Sequence, residues 1–461
     1  MKLLRSYPHS RPFCLPLACL LALSACAPGT VGADAEPAPI EVPPPVEQTN
    51  EGLSIVYTDY GVEAKYMDIA ITQYNLKNPD RPITAEKIFT DALPESREKA
   101  NQQMLAEIMA GEGPDLLFFT GRDMDIEKLA RRGVFADLTP YFESDGFDWS
   151  DYNQTIMDAG VWDGHRLVIP LEYNFPILYT SQTALDETGF SVENCDTFDG
   201  FLDEVEKMQA DSSQTRSVFR MKWTFYDFAR YAGVPYVDYA RQKADLSFPE
   251  LRRSAQIYKN LDGIDIGYFD GDALAGAVAI RDGECLWIYP DPPAQGYLMG
   301  AGVINKFDDA VMMPIRDVNG GIQAEISLAV AVRNNSPNLQ NAYDFIKYLL
   351  SEEYHLETRD IRNWDFSVLN TFNDSYYQHN TAERYNSMIP QPNRYGLEGD
   401  IVLPQEDYDE LKSYMEQITA ATYQCSQTDF SVLINDYLYG ETSYADAIKS
   451  AESQLNIYLS E

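Results

Sequence analysis

Basic residues are scarce in this chain: 35 lysines and arginines stand against 72 aspartates and glutamates, a formal net charge of −37 over 461 residues. A surface of that sign repels phosphate backbones, so nucleic-acid binding would require a local basic patch. The densest basic stretch, Lys128, Arg131 and Arg132, reads instead as one exposed helix face, and no nucleic-acid partner is expected. Anionic membrane surfaces are disfavoured for the same reason. Histidine is scarcer still, with four in all. His165, His355 and His379 form neither an H-E-x-x-H motif nor a close pair, which argues against a metal site. The chain has no G-x-S-x-G nucleophile elbow. It also lacks a G-x-x-x-x-G-K-S/T loop for nucleotide phosphates. No cofactor is expected. A bilayer span takes roughly 20 apolar residues, and no stretch of the chain reaches that.

The N-terminus reads as an address. Lys2, Arg5 and Arg11 form a positive region ahead of the apolar run Phe13 to Leu23, which is too short to span and is interrupted by Pro16. Leu23-Ser24-Ala25-Cys26 then resembles the bacterial lipobox. That resemblance implies that residues 1–25 are a signal peptide and that Cys26 carries lipid, placing the protein outside the cytoplasm and touching the membrane only through that anchor. An ordinary secreted protein cut near the same point is the plainer alternative. Of the six cysteines, Cys14 and Cys19 leave with the signal. Cys195, Cys285 and Cys425 are too scattered for a disulfide framework and read as buried thiols, with one disulfide plus a free thiol as the alternative. Residues 26–50 follow as a proline-rich, acidic tether. Prolines favour extended polyproline II at about 3.1 Å per residue, so the segment would reach roughly 75 Å.

The folded body begins with the strand-like Leu53-Ser54-Ile55-Val56-Tyr57 and a helix over 64–74. Arg97 to Ala110 is an amphipathic helix with Met104, Leu105, Ile108 and Met109 on its apolar face. Gly111 ends it, and Leu116 to Phe119 follows as a buried strand. Further strands are expected around His165, at 177–179, at 285–289 and at 326–332. Thr197 caps a helix carrying Phe201, Leu202, Val205 and Met208. Ser336-Pro337 reads as the start of another, with Ala342, Phe345, Ile346, Leu349 and Leu350 facing the core. A Ser443 to Asp446 capping box opens the last helix. Strands alternating with helices mean an α/β fold.

Several segments carry a family resemblance. Ala110-Gly111-Glu112-Gly113-Pro114-Asp115-Leu116 follows a helix, and Gly133-Val134-Phe135-Ala136-Asp137-Leu138-Thr139-Pro140-Tyr141 comes later. Asp163-Gly164 leads to Ile169-Pro170-Leu171-Glu172-Tyr173-Asn174, then come Thr197-Phe198-Asp199-Gly200-Phe201 and Ala342 to Glu353. In this order they resemble the family 1 extracellular solute-binding proteins, the maltose-binding-like group. The resemblance implies a two-lobed α/β fold of the periplasmic-binding-protein type (type II) with a hinge crossed three times. The crossings would fall near Glu172 to Phe175, Gly321 to Ala324, and Asp365 to Val368. One lobe would comprise 51–172 plus 324–365, the other 173–323 plus 366–461. A monomer is expected, not an enzyme, passing a small solute to the membrane subunits of an ABC importer.

For the solute, a carbohydrate is the first expectation, because sugars need aromatic faces for their CH surfaces and carboxylates or amides for their hydroxyls. The candidate loops offer both. Asp59 and Tyr60 follow the first strand, and Arg122 and Asp123 follow the strand at Leu116. Glu172 and Tyr173 sit at the hinge, with Trp223 and Tyr226 in the middle of the chain. Trp287, Tyr289 and Asp291 follow the Cys285 strand, Glu325 precedes an apolar run, and Trp364 lies near the third crossing. Alternation places Cys285, Trp287 and Tyr289 on one face, which would offer the indole as a stacking wall. The many acids leave a cationic solute such as a polyamine open, and a cleft carboxylate pair would suit a glycosidase.

Overall fold

Leu53, Ile55 and Tyr57 alternate along LSIVYT and bury one face of the first strand, β1 (Leu53–Thr58). The computed structural model describes residues 39–58, 63–88, 94–120, 124–222, 224–261, 264–265, 278–288, 309–358, 365–378 and 405–461. Helix α1 (Glu63–Lys77) leads from β1 to β2 (Ile83–Ile88), and α2 (Pro94–Met109) leads on to β3 (Leu116–Thr120). Both β2 and β3 lie parallel to β1, one on each side. Helix α3 (Ile126–Arg131) follows, N-capped by the Asp125 carboxylate.

The chain then enters β4 (Ile169–Asn174), passes through Phe175 and Pro176, and continues as β5 (Ile177–Ser181). All eleven residues of these two strands are buried, as expected for strands covered on both faces. Helix α4 (Phe198–Ala210) starts as anticipated, with the Thr197 hydroxyl accepting the Gly200 amide at 3.2 Å. Strand β6 (Ser217–Phe219), α5 (Phe225–Arg230), α6 (Pro249–Lys259), β7 (Cys285–Trp287) and β8 (Ala310–Pro314) complete this part. Strand β8 pairs antiparallel with β5, β5 touches β7 through the Tyr179–Ile288 bridge, and β7 pairs parallel with β6. This second sheet is the core of the second lobe.

The long strand β9 (Ile322–Val332) returns to the first sheet. It is followed by α7 (Leu339–Leu350), β10 (Phe366–Ser367), β11 (Ile418–Tyr423) and the closing helix α8 (Tyr444–Ser460). The first sheet has the order β10-β4-β9-β3-β1-β2, with β11 parallel to the leading half of β9. Helix α8 packs Ile448, Ala451 and Leu455 into a small apolar cluster with Phe225, Tyr226, Leu251 and Phe430.

Three local expectations need correction. On α2, Met104 and Ile108 are buried but Leu105 and Met109 are 40% and 46% exposed, so only half of the apolar stripe meets the core. Helix α7 begins at Leu339, not at Pro337; the Ser336 hydroxyl donates to the Asp115 carboxylate at 2.7 Å and accepts the Asn338 amide at 3.0 Å ahead of the helix. Residues 39–50, expected to belong to a free tether, make contacts with the body at both ends, with Ile40 buried in the main core. Cys195, Cys285 and Cys425 are free, buried thiols. Among the described residues no helix is long and apolar enough to cross a membrane.

Candidate ligand cleft

Strands that pass between the lobes lie side by side. Strands β4 and β9 run antiparallel, with Glu325 opposite Asn174 and Ile326 opposite Tyr173. On the other edge of β9, Thr422 stands opposite Glu325 and Tyr423 opposite Ile326. Strand β10 brings Phe366 opposite Tyr173.

Alternation sorts these strands into two faces. One is apolar: the Tyr173 and Phe366 rings lie 5.8 Å apart, and Phe175 stacks on Phe366 at 5.3 Å. The other is polar. Glu172 and Asn174 alternate with Leu171 and Tyr173, while Gln323, Glu325 and Ser327 alternate with the buried Ala324 and Ile326. Opposed residues of paired strands share a face, so Asn174 and Glu325 stand on the same side. Gln424 follows directly on Tyr423, the last residue of β11 paired to β9.

The charges on this face are largely engaged by the protein itself. Arg230, at the end of α5, reaches Glu325 at 2.8 Å and Asp227 at 3.1 Å, and its guanidinium lies 4.5 Å from the centre of the Tyr231 ring. The Asn174 amide donates to the Asp365 carboxylate. The neutral groups are in the opposite situation. Gln424 is 2% exposed, yet neither its amide nitrogen nor its amide oxygen has a partner. The Ser327 hydroxyl and the Asn174 Oδ1 are buried and unpartnered as well. A buried polar atom without a partner costs about 1–3 kcal/mol, so several in one place mark a surface completed by something else. On the apolar face the Tyr423 hydroxyl is also unpartnered, with its ring 6.0 Å from Trp162.

Of the residues anticipated for the site, Glu172 and Glu325 stand on this polar face, Glu172 being 2% exposed. Tyr173 points into the apolar side. Trp287 is a correction: it is 0% exposed, meets Phe190 edge-on at 5.5 Å, and belongs to the core of the second lobe. The same β-strand alternation that suggested a stacking wall turns that face inward. Tyr226 is corrected likewise; it packs on Phe430 at 5.3 Å inside the cluster beneath α8. Cys26, Asp59, Tyr60, Arg122, Asp123, Trp223, Tyr289, Asp291 and Trp364 lie outside the described residues. Asn174, Asp365, Arg230, Ser327 and Gln424 were not anticipated. Only strand alternation next to Glu172 and Glu325 pointed toward two of them.

The closing helix also contacts the start of α3. The Tyr458 hydroxyl of α8 donates to the Asp125 carboxylate at 2.8 Å, and the Lys128 ammonium lies 3.7 Å from the centre of the Tyr458 ring. Lys128 is therefore a packed residue, not part of a bare basic face. Burial pushes the Asp125 carboxyl up, while the Lys128 amide, Tyr458 and Tyr239 hydrogen bonds pull it down. Burial likewise pushes the neighbouring Cys425 thiol up to about 12, so it is not a reactive thiolate. A groove of about 740 Å³ opens beside this contact, lined by Leu105, Met109, Met124, Lys128, Arg132 and Tyr458 among others.

Metal chemistry has no foothold among the described residues, where no three His, Cys, Asp or Glu side chains converge. His165 pairs with Asp137 at 2.7 Å. His355 is buried, donating from Nδ1 to the Ser351 carbonyl at 2.8 Å and accepting the Ser367 hydroxyl at Nε2.

The architecture has many solved counterparts. An ABC substrate-binding protein from Listeria monocytogenes, in complex with cycloalternan, is 15% identical with a TM-score of 0.54, covering 89% of this chain and 99% of its own. A solute-binding protein from Thermotoga lettingae, bound with α-D-tagatose, is 14% identical with a TM-score of 0.55, covering 89% and 100%. The sugar-binding protein MalE from Xanthomonas citri is 12% identical with a TM-score of 0.58, covering 89% and 97%. No curated protein sequence matches the chain directly. Residues 61–355 match the family described as bacterial extracellular solute-binding protein. The chain therefore belongs to that family: it is an extracellular solute-binding protein of the kind that serves ABC transporters, a binder and not an enzyme.

Proposed function

We propose that this protein captures a carbohydrate between its lobes, on the polar face of the hinge strands, and delivers it to the membrane subunits of an ABC importer. In this reading Cys26 carries lipid and holds the protein at the outer side of the cell membrane. The observation that carries the sugar assignment is the contrast at the hinge. Glu325 and Asp365 are engaged by Arg230 and Asn174, while Gln424, Ser327 and Asn174 Oδ1 are buried without partners.

Hydrogen-bond inventories decide between ligand classes. A polyamine brings only donors and would leave the Gln424 amide N–H groups unsatisfied. Its charge would also find Glu325 already paired. A sugar hydroxyl donates and accepts, so a pair of hydroxyls can satisfy both ends of one amide. The solved relatives named with cycloalternan and tagatose support the same class.

A ligand that binds only the folded state stabilises it by RT ln(1 + [L]/Kd), about 2.7 kcal/mol at 100 times Kd. A thermal-shift panel of mono- and oligosaccharides beside polyamines tests the assignment. A saccharide hit without product formation is expected. A polyamine hit with no saccharide hit would overturn the carbohydrate assignment and leave solute binding standing.

A further inference from the structure

Residues 39–50 have the composition of a free linker, yet they make specific contacts at both ends. The Ile40 amide donates to the Asp163 carboxylate at 2.7 Å, and the Ile40 side chain is buried in the main core. Asp163 holds that position from a left-handed backbone, φ 51°, in the turn between the short strands Val161–Trp162 and His165–Arg166. Next, the Glu41 carbonyl and Pro43 lie over Gly133. A Cβ there would come within 2.7 Å of the Glu41 oxygen, and the φ of +67° independently suits glycine.

The far end of the segment caps a helix. The first amides of α7 have no side-chain cap from Asn338. Gln48 Oε1 instead accepts the Leu339 amide at 2.9 Å, and Asn50 Oδ1 accepts the Gln340 amide at 3.1 Å. Gln48 Nε2 donates to the Ser336 carbonyl at 3.0 Å, and the Thr49 and Asn50 amides donate to the Pro337 carbonyl at 2.9 and 3.1 Å. These bonds supply orphan helix donors from a distant part of the chain. Every partner named lies beside the first sheet or on α7.

We propose that residues 39–50 are a strap that fixes the chain's N-terminal exit onto the first lobe. An N-terminal anchor then holds that lobe, and the second lobe is the one left free to swing about the hinge. Residues 39–50 are then withdrawn from the length that separates such an anchor from the body. The docking stands on the contacts alone; its consequence for the membrane rests on the lipid-anchor reading given above.

Two measurements separate these parts. In the full chain made soluble by Cys26→Ala, hydrogen exchange followed by mass spectrometry reads the strap directly. The amides of Ile40, Thr49 and Asn50 should exchange at least about tenfold slower than in the free peptide. Ile40→Asp should return them to peptide rates while β9 amides keep their protection. Peptide-like rates in the parent would overturn the strap. In the lipidated protein on a supported bilayer, neutron reflectometry should place the body closer to the membrane than in the Ile40→Asp variant. An unchanged gap would overturn the strap's role as a spacer limit. Failure of the parent to stay on the membrane would refute the anchor reading, with the exchange result still deciding the docking.

Discussion

Tyr458, three residues from the end of the chain, donates its hydroxyl to the Asp125 carboxylate at 2.8 Å, linking the closing helix to the N-terminus of α3. Asp125 follows the C-terminal end of β3, where open α/β sheets bind their ligands. The bond therefore ties the closing helix to the loop that follows β3, beside Cys425.

Tyr458→Phe removes a single donor from a buried carboxylate that keeps the Lys128 amide. A loss of about 1–3 kcal/mol in unfolding free energy is expected, the cost of under-satisfying a buried charged acceptor. Denaturant unfolding measures it, and an unchanged midpoint would mean that the contact is absent in solution.

The same carboxyl makes stability depend on pH. Burial raises its folded-state value above the ordinary 3.8, outweighing its hydrogen bonds. An acid raised on folding contributes stability that is fully present below the unfolded value and lost as pH rises through the folded value. The melting temperature of the parent, relative to Asp125→Asn, should therefore fall as pH rises through the range just above 3.8. A flat difference would show that the carboxyl is not held up by burial.

Trp287→Ala should cost about 3–5 kcal/mol of stability, as for other large-to-small changes in a sealed core. Its ring is enclosed and set against Phe190. Loss of ligand affinity in a variant of unchanged stability would return Trp287 to the cleft.

Arg230→Gln should leave the partly buried Glu325 carboxylate without its cation and cost about 1–3 kcal/mol. Adding Glu325→Gln should recover part of that loss, since the stranded charge goes with it. A double variant no better than the single one would show that the pair does not act as a unit.

Backbone-scale features were legible because they depend on patterns. The Thr197 cap and the apolar faces of α4 and α7 follow from spacing, whereas the hinge near Glu172 was implied only by the family resemblance. Individual side chains were not. Trp287 and Tyr226 occupy strand and helix positions whose sequence surroundings are the same whether the ring fills a core or walls a cleft. Gln424 is one glutamine past the end of a strand, and only its burial without partners distinguishes it. The strap escaped notice because the capping of α7 by Gln48 and Asn50 joins residues nearly 300 positions apart, which no local pattern encodes.

Calorimetric titration with the best saccharide hit, on the parent and on Gln424→Leu, tests the central claim most directly. The substitution removes a donor and an acceptor while keeping the volume and burial of the side chain. The parent should bind saturably without turnover, and the variant should fold normally and bind about 10–100-fold more weakly, equivalent to about 1.4–2.8 kcal/mol. An unchanged dissociation constant in the folded variant would contradict a sugar site on the polar face of the hinge.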